Sequence, residues 1–142
     1  MKSPLDQTIG HCPNILNWTK LVNEASLQFG NDMDMGPKVK NLLIEAGFID
    51  VKEKKVQIPL SPWAKGRKAK DLGVVQQEQF CNAIDSYTIA LFTRVLGWTA
   101  EECKVLMDAA KKEVRNPKNQ LYINFVCEYL AIISIRRCFY TD

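Results

Sequence analysis

Three side chains that can exchange protons or donate hydrogen bonds lie close together in residues 74–96, the longest helical pattern of the chain. They are Asp85, Tyr87 and Thr88. Helical spacing places Asp85 one turn from Cys81 and from Ile89, so its carboxylate lies at the margin of an apolar face. In most proteins such a carboxylate is solvated or forms a local hydrogen bond. The functional alternative is a polar group that faces a cavity.

The histidine and cysteine content argues against metal chemistry. The chain has a single histidine, His11, and no Cys-x-x-Cys pair. His11 and the adjacent Cys12 could share a metal ion, but a loop histidine without a ligand is the more common case. The cysteines are odd in number and widely spaced, which predicts free buried thiols at Cys12, Cys81, Cys103, Cys127 and Cys138. We therefore predict neither a metal site nor disulfides.

The overall composition is that of one globular domain. The chain has 142 residues, of which 46% are hydrophobic and 25% are charged. No apolar run approaches the roughly 20 residues of a membrane span, and residues 1–13 lack the apolar core of a secretory signal. The net charge of +3 is mild, and the basic residues form no stripe with aromatic residues. These features predict a cytoplasmic protein that neither spans a membrane nor binds nucleic acid.

Hydrophobic periodicity predicts an α+β fold that is mostly helical. The pattern predicts helices over 14–29 and 37–46, a strand over 48–58, helices over 74–96 and 100–115, and a second long strand region over 121–137. Residues 1–13 are polar and contain two prolines, which predicts a flexible arm before a single domain of residues 14–142. The basic segment 61–73, hinged at Gly66, is either a solvated loop or a lid over a pocket.

Local signals mark the starts of two helices. Asn14 follows Pro13 and has the side chain of an N-cap residue for the first helix. The run Thr99-Ala-Glu-Glu has the spacing of a capping box, with Glu102 at the third helical position. On the helix that follows, we expect the buried side to consist of Val105, Leu106, Ala109 and Val114.

The two strand regions need additional sheet to be stable. Between residues 48 and 58, apolar residues alternate with charged ones, which predicts a half-buried strand. A ribbon of two strands is marginal by itself, and the simplest source of more sheet is a second copy of the chain. We therefore predict that a homodimer completes the sheet.

Four sequence blocks, in the same order, resemble a known family. The blocks are GPKVKNLLIEAGFIDV (36–51), IPLSPW followed by KDLG (58–63 and 70–73), SYTIALFTRVLGW (86–98), and NPK followed by Tyr122 and Phe125 (116–125). They resemble fungal class I methyltransferases, the LaeA-like S-adenosylmethionine enzymes of secondary metabolism, and Trp18 in the first helix has a counterpart there. The resemblance covers about residues 14–129. It implies a partial methyltransferase-like lobe from the carboxy-terminal part of the family.

The resemblance does not extend to the half of the family that holds the cofactor. A nucleotide-containing cofactor there needs a glycine-rich turn, because backbone amides must approach the ligand closely. The first 30 residues contain only Gly10 and Gly30, with no Gly-x-Gly pattern, and past Tyr129 the sequence departs from the family pattern. We therefore predict a truncated relative that binds no cofactor and does not transfer methyl groups by itself.

The segment that resembles the family corresponds to the part that covers the acceptor substrate in those enzymes. The resemblance implies a cofactor-free cyclase or isomerase of the pericyclase (Diels-Alderase) type that acts on an apolar terpenoid or polyketide intermediate. An apolar cavity would hold the reacting ends together, and hydrogen-bond donors would stabilise developing charge. The catalytic candidates are Asp85, Tyr87 and Thr88. The substrate-binding candidates are Trp18, Trp63, Phe80, Phe92, Trp98, Tyr122 and Asn124.

Two other interpretations stay open, since aromatic residues at helical spacing are more often core residues than pocket walls. A catalytically inactive pseudo-methyltransferase would act as a scaffold or regulator of a full-length partner, and exposed strand edges would favour such pairing. A gene remnant without an independent role is the third interpretation, against which the agreement of caps, strand alternation and helix stripes argues. A closed apolar cavity would favour the cyclase, and an apolar patch on the outside would favour the scaffold.

Overall fold

The computed structural model describes residues 11–33 and 35–131. It confirms an α+β fold that is mostly helical and has one antiparallel pair of strands. The elements are, in order, α1 (Pro13–Gln28), α2 (Gly36–Glu45), β1 (Ile49–Pro59), α3 (Arg67–Tyr87), a π-helical segment (Thr88–Leu96), α4 (Ala100–Arg115), a 3-10 turn (Pro117–Asn119) and β2 (Tyr122–Ala131). Residues 1–10 of the predicted arm and 132–137 of the predicted second strand lie outside the described residues.

The chain divides into two compact units. The first unit contains α1, α3, the π-helical segment, α4 and the start of β2. The second contains α2, β1 as far as Val56, and β2 from Val126 onwards. The single domain over 14–142 stays a prediction. None of the helices in the described ranges is long and apolar enough to cross a membrane.

The core of the first unit is built by its four helical segments. α1 packs against α4 and the π-helical segment, and α3 packs against α4. The buried apolar side chains come from these segments, from Cys12 just before α1, and from one end of the β1–β2 pair, where Leu60 follows β1 and Leu121 precedes β2. They are Cys12, Ile15, Trp18, Val22, Leu60, Cys81, Ile84, Phe92, Cys103, Leu106, Ala110, Val114 and Leu121. Cys12, at the end of the predicted arm, is therefore part of this core.

A distant carboxylate caps the N-terminus of α1. Pro13 is the first residue of the helix, and Cys12 at the N-cap position makes no side-chain hydrogen bond. Glu113 on α4 accepts hydrogen bonds instead, through Oε1 from the Asn14 backbone amide (3.2 Å) and side-chain amide (2.6 Å), and through Oε2 from the Ile15 amide (2.9 Å). The prediction of Asn14 as the N-cap is wrong, because α4 satisfies the orphan amides of this helix end.

The helix α3 begins at Arg67, inside the segment predicted as a basic loop or lid. Gly66 precedes it with a φ of 93°, a conformation that glycine adopts without steric cost. Gly73 lies within the helix and is buried against the preceding turn: a Cβ there would lie 2.4 Å from the Ser61 carbonyl oxygen. The loop prediction is therefore wrong for 67–73, because this glycine permits a close approach of helix and backbone rather than a break.

The helix continues beyond Tyr87 in π-helical geometry until Leu96. π-Helical segments are rare in proteins as a whole, and those that occur are often found at functional sites. They also change which residues share a face, since their hydrogen bonds join positions five apart rather than four. The segment ends at Gly97, which has a φ of 68°.

The first turn of α4 confirms the predicted capping box. The Thr99 hydroxyl accepts a hydrogen bond from the Glu102 amide (3.3 Å), and Glu102 Oε2 accepts one from the Thr99 amide (2.9 Å). On the same helix, Leu106 and Val114 are buried as predicted. Val105 is 71% exposed, so its predicted burial is wrong. Its side of α4 forms an open groove.

The second unit exposes much of its apolar surface. The helix α2 has no buried residue, and Leu42 and Ile44 are 46% and 51% exposed. On β1, Ile49 and Val56 are exposed as well. Val51 is half-buried, so the predicted burial of one strand face is only partial in this unit.

Candidate functional site

Thr88, a predicted catalytic residue, lies at the start of the π-helical segment and is fully buried. Its hydroxyl donates to the Ile84 carbonyl oxygen (2.5 Å) and accepts a hydrogen bond from Trp18 Nε1 (2.8 Å). A hydroxyl has a single proton to donate, and here that proton is already engaged. These contacts join α1 to the π-helical segment through the core.

Four of the predicted substrate-binding aromatic residues lie in the core or against it. Trp18 and Phe92 are core residues, and Phe80 and Trp98 are partly buried and pack against that core. The rings form two edge-to-face pairs, Trp18–Phe80 with centroids 5.8 Å apart and Phe92–Trp98 with centroids 5.1 Å apart. Ring quadrupoles favour this arrangement. The contacts match the core interpretation, and Trp98 in addition lines a groove.

The remaining substrate-binding candidates lie around the start of β2. Trp63 is partly buried, and its Nε1 donates a hydrogen bond to the Leu121 carbonyl oxygen (2.8 Å). The Leu60 amide donates to the same oxygen (2.9 Å). Tyr122 and Asn124 on β2 are partly buried. Trp63 thus fastens the turn after β1 to the start of β2.

Asp85 lies at an open groove on the π-helical side of the first unit. Its carboxylate forms an ion pair with Lys111 of α4. The groove has a volume of about 390 Å³ and is lined by Asp85, Ser86, Ile89, Ala90, Thr93 and Arg94. Tyr87 does not line it and is 42% exposed. The three predicted catalytic residues therefore lie in three environments: an ion pair, the solvent and the core.

A second groove, which the sequence pattern did not indicate, runs along α4. Its volume is about 420 Å³, and its floor is apolar. The lining residues are Asn14, Trp98, Glu101, Glu102, Val105, Leu106 and Ala109. Apart from Trp98, none of them was a site candidate. The only sequence signal for this groove is the pair of apolar residues at positions 105 and 109, one and two helical turns after the glutamates at 101 and 102. The same pattern is typical of an ordinary buried helix face.

The described thiols are free and suited to packing rather than to nucleophilic catalysis. Cys12, Cys81 and Cys103 are buried, and Cys127 is partly buried, while Cys138 lies outside the described residues. Burial raises the pKa of the three buried thiols, and at Cys12 the Glu113 carboxylate raises it further. Raised pKa values keep thiols protonated and unreactive. In residues 11–33 and 35–131, no three histidine, cysteine or acidic side chains form a potential metal site.

Removing the Thr88 hydroxyl tests whether its hydrogen bond with Trp18 stabilises the core. We expect Thr88→Val to lower the free energy of unfolding by about 1–3 kcal/mol, because the buried indole donor loses its acceptor. Thr93→Val is the matched control, since the exposed Thr93 hydroxyl only donates to the Ile89 carbonyl oxygen. Urea unfolding followed by tryptophan fluorescence measures both. Equal midpoints for the two variants would contradict the assignment.

Comparison with curated proteins shows the class to which the chain is related. It is 31% identical over 110 residues to the methyltransferase pytC of Aspergillus terreus, a match that covers 78% of this chain and 33% of pytC. It is 27% identical over 111 residues to the probable methyltransferase tdiE of Emericella nidulans, covering 78% of this chain and 35% of tdiE. Identity to the secondary metabolism regulator laeA of Monascus pilosus is 25% over 108 residues, covering 75% of this chain and 29% of laeA.

The chain is therefore homologous to LaeA-like methyltransferases of fungal secondary metabolism, which confirms the resemblance of its sequence blocks. It spans about a third of the length of these curated relatives. No protein-family model matches the chain. No solved structure matches it.

The residues present do not fit the cofactor that a methyltransferase uses. A dinucleotide or S-adenosylmethionine site of the usual kind needs closely spaced glycines in the turn after a strand. After β1 the chain continues as Leu60-Ser61-Pro62, and the sequence contains no Gly-x-Gly anywhere.

Proposed function

We propose that this chain is a methyltransferase-like, partner-binding protein of fungal secondary metabolism that acts as a scaffold or regulator of a full-length methyltransferase. The exposed apolar surface of the second unit carries the proposal. Leu42 and Ile44 on α2 and Ile49 and Val56 on β1 are all exposed. Large apolar side chains left exposed in one small unit favour an interaction site over solvent contact.

The energetics of the second unit support the same conclusion. An isolated helix as short as α2 is marginal in water, and so is a two-stranded ribbon. Each strand of the β1–β2 pair has an outer edge without a further described strand. A partner that adds a strand would satisfy backbone amides and carbonyls at one edge. The predicted homodimer is a second form of this pairing, in which another copy supplies the strand.

Light scattering coupled to size exclusion tests this function. We expect a complex when the chain is mixed with a full-length LaeA-like methyltransferase from the same fungus. Ile49→Lys should abolish the complex, whereas Val75→Lys, at an equally exposed apolar position on α3, should leave it intact. A homodimer that never exchanges with the methyltransferase would contradict the regulatory role, and a chain that remains monomeric in every mixture would contradict the pairing itself.

The cofactor-free cyclase is the second candidate, and one observation favours it. The π-helical segment begins at Thr88, beside the groove that holds Asp85, and such segments are frequent at functional sites. The ion pair with Lys111 would hold the Asp85 carboxylate in place, and the carboxylate would orient a bound substrate. Metabolite profiling after gene deletion separates the candidates. An accumulated isomer of the lost product, equal in mass, supports the cyclase, and the loss of a whole set of compounds supports the regulator.

A further inference from the structure

The groove along α4 has the geometry of a helix-binding surface. Two rows at i, i+4 spacing run along it, Glu101–Val105–Ala109 and Glu102–Leu106, over about 12 Å of helix length. Val105 stands exposed in the middle of the groove, and Ala109 leaves room for a close approach at one end. Ridges and grooves of this spacing accept side chains from a second helix.

We propose that this groove binds an amphipathic helix of a partner protein whose apolar anchors lie one turn apart and are flanked by lysine or arginine. The apolar anchors contact Val105, Leu106 and Trp98. The basic flanks lie against Glu101 and Glu102. This surface uses different residues from the exposed side chains of α2 and β1, so it does not depend on the proposed function.

The charge of the groove selects the basic helix over an acidic one. Glu101 is exposed and forms no ion pair within the described part of the chain. Hydrogen bonds from the Thr99 backbone amide and hydroxyl lower the pKa of Glu102, which keeps it ionised. Two carboxylates therefore border an apolar floor. The chain as a whole carries a net charge of +3, so overall electrostatic attraction would favour an acidic peptide. A preference for a basic peptide must therefore come from Glu101 and Glu102, the acidic rim of the groove.

The probe is a fluorescein-labelled peptide of about five helical turns made of leucine and lysine, with leucine at i, i+3, i+4 and i+7 spacing. Two comparison peptides replace every lysine with glutamate or introduce two central prolines. Fluorescence anisotropy measures binding to the full chain. We expect the leucine–lysine peptide to bind at least about tenfold more tightly than either comparison peptide. We also expect the binding to weaken with added salt.

Two pairs of variants locate the site. Val105→Ser should weaken binding by about tenfold, since it removes an apolar anchor contact. Val75→Ser, at an exposed position on α3, should leave binding unchanged. Glu101→Lys should weaken binding several-fold by placing like charges together, and Glu78→Lys, at an exposed position on α3, should have no effect. Circular dichroism spectra equal to that of the native chain show that each variant is folded.

Three results would overturn the proposal. Equal binding of the leucine–glutamate peptide would show that the acidic rim selects nothing. Equal binding of the proline-containing peptide would show that the groove does not recognise a helix. Undiminished binding to a folded Val105→Ser variant would place the peptide elsewhere on the surface.

Discussion

Replacing Gly73 by alanine is expected to destabilise the first unit by about 2 kcal/mol or more, although alanine is the better helix former by about 1 kcal/mol. An alanine Cβ would lie 2.4 Å from the Ser61 carbonyl oxygen and 2.7 Å from the Ser61 carbonyl carbon. Both are backbone atoms, so no side-chain rotation relieves the overlap. The turn at residues 61–63 must move instead.

The displacement would reach contacts that hold β1 and β2 together. The Ser61 carbonyl oxygen accepts a hydrogen bond from the Trp63 amide (2.8 Å). Trp63 in turn donates its indole proton to Leu121 at the start of β2. A shift of Ser61 therefore loosens the turn and the indole contact as well. Thermal unfolding should register a fall in Tm of roughly 8 °C for a chain of this size.

Gly36→Ala is the matched control for this prediction. Gly36 is the first residue of α2, does not have a positive φ, and has nothing within 4 Å of the position that a Cβ would take. Alanine there should leave Tm unchanged or raise it slightly. If Gly73→Ala were as stable as Gly36→Ala, the close approach of α3 to the Ser61 turn would be wrong.

Gly73 also shows why the start of α3 was misplaced from the sequence. Glycine lowers helix propensity, so a helical pattern that meets Gly66 and Gly73 is most simply assigned to the stretch after both. Of these two glycines, Gly66 has a positive φ and Gly73 does not. The second glycine is needed for its lack of a side chain, and that need arises from the Ser61 turn, which no local pattern reveals.

Features determined within one turn of the chain were predictable, whereas features that depend on distant contacts were not. The capping box of Thr99 and Glu102 spans three residues and was predicted correctly. The homology to LaeA-like methyltransferases was also readable, because whole blocks of residues carry it. The environment of Thr88 depends on Trp18, 70 residues away. Helical spacing places such residues on an apolar face but does not say whether that face encloses a cavity or a core.

The exposure of Val105 illustrates the same limit on the surface. Helical spacing puts Val105 and Leu106 on adjoining sides of α4, and both are apolar. The core of the first unit buries Leu106, whereas Val105 is open to the groove. The width of a helix's buried stripe is set by the neighbouring helices, so the sequence predicted a wider stripe than the fold provides.

Glu113→Ala is expected to lower the free energy of unfolding by about 2–4 kcal/mol, because one carboxylate caps the whole N-terminus of α1. Three donors from Asn14 and Ile15 converge on it. Hydrogen bonds to a charged group contribute about 1.5–3 kcal/mol each. The negative charge also interacts favourably with the helix dipole. Since Ile15 is fully buried, water cannot simply replace the lost acceptor at its amide.

A conservative pair of variants separates the cap from a general effect of charge. Glu113→Gln keeps the shape but turns one acceptor oxygen into an amide nitrogen, so either the Asn14 or the Ile15 amide loses its partner, at a cost of about 1–3 kcal/mol. Asp108→Asn removes one negative charge from the same helix at an exposed position and should cost little. Urea unfolding monitored by circular dichroism compares them. Equal losses of unfolding free energy in the two variants would mean that charge alone matters. A larger loss for Glu113→Gln shows that this carboxylate joins α1 to α4. The start of α1, beside the α4 groove, is then held in place by a residue 98 positions from Ile15.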